Sequence, residues 1–89
     1  MFYMVVETFK NKDEIYRRFR EKGRMLPDGL RYVSSWIDAD FTKCFQLMET
    51  EDFELFDEWT SRWNDLTDFE IIPVMTSEDA ARKAADGQK

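Results

Sequence analysis

The chain has 89 residues, the size of one domain, and its 43% hydrophobic and 16% aromatic content excludes disorder for the bulk of it. A formal charge of −6 argues against nucleic-acid binding, which rests on neutralising phosphates. No run approaches the ~18 consecutive apolar residues of a membrane span, and the absence of histidine removes the commonest general base and metal ligand.

Residues 2–9 (FYMVVETF) are rich in β-branched and aromatic types and read as a first strand. Asn11, with Glu14 three residues on, reads as a capping box with an amide in the hydroxyl's place. The helix it opens carries Ile15, Phe19 and Tyr16 on one face and Arg17, Arg18, Arg20 and Lys22 elsewhere. Gly23 is the expected terminator, and Pro27-Asp28-Gly29 a turn. Residues 30–38 and 42–50 are two further strands, joined by a hairpin around Ala39 and Asp40. Asp52 can cap a second helix, whose positive end suits Glu51, Asp52 and Glu54. Phe56, Trp59, Trp63 and Leu66 follow at helical spacing. Residues 69–75 (FEIIPVM) are a fourth strand, marked as an edge by Pro73. Thr76 and Asp79 are placed to cap a short alanine-rich helix. Residues 1–76 thus form the expected domain, and 77–89 a short C-terminal helix with a frayed end.

The order strand, helix, strand, strand, helix, strand predicts an α+β fold of the ferredoxin-like βαββαβ plait. With right-handed crossovers, both helices cover one face of a four-stranded antiparallel sheet. Ile15, Phe19, Phe56, Trp59 and Trp63 are the expected helix contribution to the core. A three-residue loop at residues 39–41 sets Trp36 opposite Cys44, Ser34 opposite Gln46 and Tyr32 opposite Met48. This register groups Val33, Ile37, Phe45 and Leu47 on the helix side, with Met4 and Val6. It leaves Tyr3, Val5 and Glu7 on the open side. Four such strands cover roughly 400–450 Å². An open face of that size carrying Trp36, Tyr32, Tyr3, Val5 and Met48 is more apolar than a monomer normally exposes, which predicts a two-fold homodimer paired through that face.

The segment GRMLPDGLRY at residues 23–32, then Trp36, then CFQLME at residues 44–49, resembles a family of small bacterial proteins known as a domain of unknown function. The resemblance covers nearly the whole chain, and the CFQLME stretch is its most specific part. The chain also resembles the wider dimeric α/β-barrel superfamily, which includes quinone-forming monooxygenases, haem-degrading enzymes, muconolactone isomerases and stress-response proteins. The resemblance implies the plait and the dimer. It transfers no catalytic residue, and the histidine on which the superfamily's haem enzymes often rely has no counterpart here.

The candidate chemistry centres on Glu7, the acid that the pattern places inside a strand. Tyr3, Tyr32, Trp36, Cys44, Gln46 and Met48 are the candidate ligand-binding residues of a half-apolar cavity between paired sheets. A carboxylate there would have its pKa raised by desolvation and could act as a base toward an acidic C–H or O–H. The plainer alternative pairs Glu7 with an arginine and assigns the aromatics to dimer packing. Cys44 is expected to be a buried, inert thiol, having no histidine to activate it. A single cysteine in so small a domain points to a reducing compartment, and with no signal-peptide pattern at the N-terminus the expected location is the cytoplasm. Asp38-Ala39-Asp40 reads as turn chemistry rather than a metal site, and three scattered glycines make no phosphate loop, so neither metal nor cofactor is expected. Residues 10–31 carry eight basic and four acidic side chains, residues 38–70 two and eleven, which reads as two oppositely charged helices lying side by side. Two functional readings follow. One is a dimeric protein binding a small apolar or aromatic ligand, as a cofactor-independent enzyme or a binder. The other is a non-catalytic interaction or stress-associated dimer. A cavity of ~300 Å³ or more lined by Glu7 and the tyrosines would favour the first, a well-filled interface the second.

Overall fold

A computed structural model describes residues 1–87. The elements run β1 (Phe2–Phe9), α1 (Lys12–Lys22), β2 (Arg31–Ile37), β3 (Lys43–Glu49), α2 (Leu55–Ser61), β4 (Thr67–Val74) and α3 (Ser77–Gly87). The strands form one antiparallel sheet in the order β2-β3-β1-β4. This is the ferredoxin-like α+β plait, with Pro73 on an edge strand as the sequence requires. No helix among the described residues is long and apolar enough to cross a membrane. The expected frayed end is helical through Gly87, while Gln88 and Lys89 lie outside the described residues.

The local signals act as their chemistry dictates. Asn11 Oδ1 accepts the Glu14 amide at 3.2 Å, closing the N-terminus of α1. Gly23, at φ 67°, donates its N–H to the Phe19 carbonyl at 2.8 Å and ends the helix. Asp52 does not cap α2 as expected: the cap position is Glu54, with no side-chain bond, and Asp52 Oδ1 instead accepts the Glu54 amide at 3.0 Å in the preceding turn. Asp38, the first residue of the hairpin loop, accepts from the Thr42 amide, the Thr42 hydroxyl and the Lys43 amide at 2.7–2.8 Å. Those bonds hold its pKa below the usual carboxylate range. Gly29 sits at φ 94°, and a Cβ there would lie 3.1 Å from Leu55 Cδ1. Gly29→Ala is therefore expected to lower stability by about 1–2 kcal/mol in urea unfolding, the left-handed penalty alone; an unchanged midpoint would show the turn to be free to relax.

Both helices pack on one face, because Ile15 of α1 and Phe56 and Trp59 of α2 share a buried cluster with Tyr3, Val5 and Met48. Trp63, just beyond α2, joins them; Phe19 does not, being 38% exposed. The face assignment in the central strands is the reverse of the one the hydropathy pattern suggests. Cross-strand partners share a face, and one row reads Ile37, Cys44, Glu7, Phe69, the next Ser35, Gln46, Val5, Ile71, both toward the helices. Between them, on the open face, lies Trp36, Phe45, Val6, Glu70, followed on that face by Ser34, Leu47, Met4, Ile72.

Two features accompany this reversal. A register irregularity between Tyr32 and Ser34 leaves Tyr32 opposite Met48 but moves Trp36 from Cys44 to Phe45. In addition, the covered face is the less apolar of the two. Its polar groups are satisfied locally: Gln46 Nε2 donates to Met48 Sδ at 3.2 Å, and Thr67 Oγ1 to the Thr8 carbonyl at 3.0 Å. Among the described residues no buried side-chain nitrogen or oxygen lacks a partner.

Candidate functional site

Glu7, in the central strand β1, faces the helices opposite Cys44 of β3. Next to it, on the same side of the sheet, a cavity of about 230 Å³ opens between sheet and helices. Its floor is Glu7, Cys44, Gln46, Ser35 and Ile37. Its walls are aromatic: Phe9 from the sheet, Tyr16 and Phe19 from α1, and Trp59 and Trp63 from α2 and the turn after it. The remaining polar wall is Arg24, in the loop that follows α1.

Burial dominates the electrostatics here. Desolvation raises the Glu7 carboxyl from 4.5 to about 7, against the smaller opposing effects of a hydrogen bond with the Cys44 thiol and the Arg24 charge. Cys44 is pushed up to about 12, first by burial and then by the Glu7 charge, so it stays a neutral thiol at physiological pH. Burial first, and then the Cys44 and Glu7 groups once they ionise, raise the Tyr16 phenol above its ordinary value. The cavity thus holds one group that titrates near neutrality beside two that do not.

Arg24 is held from two directions. Its carbonyl accepts both the Trp59 and the Trp63 indole N–H, each at 3.0 Å. Its guanidinium lies 3.7 Å from the Tyr32 ring centre and 5.1 Å from that of Phe19. The flanking residues Gly23 and Met25 both have positive φ, 67° and 58°, so the chain turns sharply on either side of Arg24.

Of the residues expected to form the site, Glu7, Cys44 and Gln46 are brought together, but beneath the helices rather than between paired sheets. Tyr3 and Met48 face the same way and are absorbed into the core, Tyr3 packing on Phe53 and Phe56 at 5.4 and 5.1 Å. Tyr32 clamps Arg24 and bonds Ser35 Oγ at 2.8 Å. Trp36 is on the opposite face, 56% exposed. Sequence reasoning allowed an arginine beside Glu7 without identifying it as Arg24, and took Trp59 and Trp63 for core alone when they also line the cavity. Their helical spacing with Phe56 located the wall but not the hollow it encloses. The described residues contain no group of three or more His, Cys, Asp or Glu that could hold a metal ion.

No curated protein and no solved structure matches the chain. A family model does, over residues 1–88, and its description is a domain of unknown function, DUF3303. With a match of that extent, the chain belongs to the DUF3303 family.

Proposed function

We propose that the protein binds a small, largely apolar, single-ring molecule in the cavity between sheet and helices and exchanges a proton with it through Glu7. The observation that carries this reading is a carboxyl raised to about 7 on the floor of an aromatic cavity. Near neutrality such a group is present in both forms, so it can take a proton from an acidic C–H or O–H and return it. That exchange consumes no oxidant or reductant. The volume of about 230 Å³ suits a substituted ring, since a ~150 Å³ apolar cavity accommodates benzene. It is smaller than the ~300 Å³ at which drug-sized pockets begin. The unpaired interior thiol of Cys44 suits a reducing compartment, the cytoplasm.

Indole N–H resonances test the site directly. Adding phenol is expected to shift Trp59 and Trp63, which line the cavity, and to leave Trp36, on the far face, unmoved. Shifts confined to Trp36, or none at millimolar phenol, would remove the ligand reading.

The same proposal includes a homodimer through the open sheet face. Trp36, Phe45 and Ile72 are 56%, 36% and 39% exposed there. A groove of about 400 Å³ lined by Phe2, Met4, Leu47 and Val74 continues this apolar surface to the base of α3, a helix that buries nothing in its own chain. The sheet alone offers roughly 400–450 Å², about half of the ~800 Å² per partner typical of a stable interface. The groove and α3 extend it toward that value. Light scattering is expected to give twice the chain mass at micromolar concentration. Phe45→Glu should give the monomer while leaving the Glu7 titration unchanged, and a monomeric native protein would remove the dimer. The exposed apolar face also supports the second reading, an interaction dimer without catalysis, which a dimer insensitive to phenol would favour.

A further inference from the structure

Arg17, Arg18, Arg31, Arg62 and Arg82 each pair with a carboxylate: Glu14, Asp65, Glu49, Glu58, and both Glu78 and Asp79, respectively. Arg24 is different. Among the described residues its guanidinium has aromatic faces for neighbours, Tyr32 and Phe19, and lines the cavity with Glu7. Stacking occupies the faces of the planar group and leaves its N–H edge for a ligand. The two indole bonds to the Arg24 carbonyl fix its backbone, and the Tyr32 and Phe19 rings place the guanidinium. The other ionisable groups of the cavity are Glu7 on β1, Cys44 on β3 and Tyr16 on α1, while α2 and β4 contribute none. With Glu7 protonated and the thiol and phenol neutral, the half-buried guanidinium is the cavity's one charge.

We infer that Arg24 anchors an anionic group, and that the ligand class of the Glu7 cavity is a single-ring organic acid bound through its carboxylate. This assignment rests on the ligand reading above and narrows it. A carboxylate matches the guanidinium fork with two parallel hydrogen bonds, which a neutral amide of the same shape cannot reproduce. The ring then lies between Trp59, Trp63 and Phe9, and the carboxylate is held within reach of the Glu7 proton.

Calorimetric titration at pH 6, where Glu7 is largely protonated, with sodium benzoate and with benzamide separates charge from shape. Benzoate is expected to bind the native protein at least about tenfold tighter, the low end for an interaction with a charged partner. Arg24→Gln should erase that preference, and Arg24→Lys, which keeps the charge but not the fork, should retain part of it. Unshifted Trp59 and Trp63 indole signals in each variant will show that the loop is intact, since its bonds are made by the Arg24 backbone. Equal binding of benzoate and benzamide, a preference surviving in Arg24→Gln, or no binding of either probe would each overturn the assignment. If phenol still moves the two indoles in that event, the cavity reading stands and only the role of Arg24 falls.

Discussion

Trp59→Ala is expected to lower stability by about 3–5 kcal/mol, the range for truncating a fully buried aromatic whose surroundings relax only partly. Trp59 is 2% exposed, packs against Phe56 and Phe69 with ring centres 6.4 and 5.4 Å apart, and forms a wall of the Glu7 cavity. Removing it joins the space it fills to a cavity that already exists, so collapse is harder than at a closed site. Trp59→Phe divides the cost. It keeps most of the ring and loses the bond to the Arg24 carbonyl, which Trp63 still bonds at 3.0 Å, so a loss nearer 1 kcal/mol is expected. Urea unfolding measures both. A Trp59→Ala loss below about 1 kcal/mol would mean that the helix is not seated on the sheet as described.

Glu7→Gln is expected to stabilise the protein at alkaline pH, a sign opposite to that of most substitutions in an interior. The folded-state pKa of about 7 lies above the ordinary 4.5, so ionisation is harder in the fold than in the unfolded chain. The contribution of Glu7 to stability is then most favourable below pH 4.5, declines as pH rises through 4.5 to 7, and levels off above 7. At ~1.4 kcal/mol per pH unit, the penalty above pH 7 is on the order of 3 kcal/mol. Glutamine carries no charge to desolvate. The variant should therefore match the native protein near pH 4 and exceed it by up to that amount at pH 8. The carboxylates whose pKa values are lowered, Asp38, Glu49 and Asp65, are common to both proteins and cancel in the comparison. Melting curves at the two pH values measure it, and the same variant should lose proton exchange with a bound ligand. Equal stability at pH 8, with a Glu7 pKa near 4.3 by NMR, would place the carboxylate in water and end the acid–base reading.

How legible the site was differs residue by residue. Glu7 stood out because a lone acid inside a strand must be stabilised or used, and that argument holds on either face of a sheet. Arg24 gave no such sign. It follows a helix-ending glycine in a basic segment, and its position depends on two indoles 35 and 39 residues away in the chain. Cys44 and Gln46 were named for the wrong side of the sheet, yet they are neighbours of Glu7 because cross-strand pairing, unlike facing, survives an inversion.

The elements and their order were determined by local chemistry in the chain itself. Asn11 and Gly23 bound the first helix, Pro27-Asp28-Gly29 and Asp38 make the turns, and the spacing of Phe56, Trp59 and Trp63 orients the second helix. Each of these interactions spans only a few residues, so neighbours in sequence suffice to specify it. Which face of the sheet the helices cover was decided only in three dimensions. Strands β1 and β3 are apolar on both faces, so a period of two carries no information about the side that is buried. The register irregularity at Val33 then separates Trp36 from Cys44 without any change in hydropathy to announce it. The cavity is decided at the same level, since a hollow beside Glu7 exists only where two helices meet the sheet without filling the space between them.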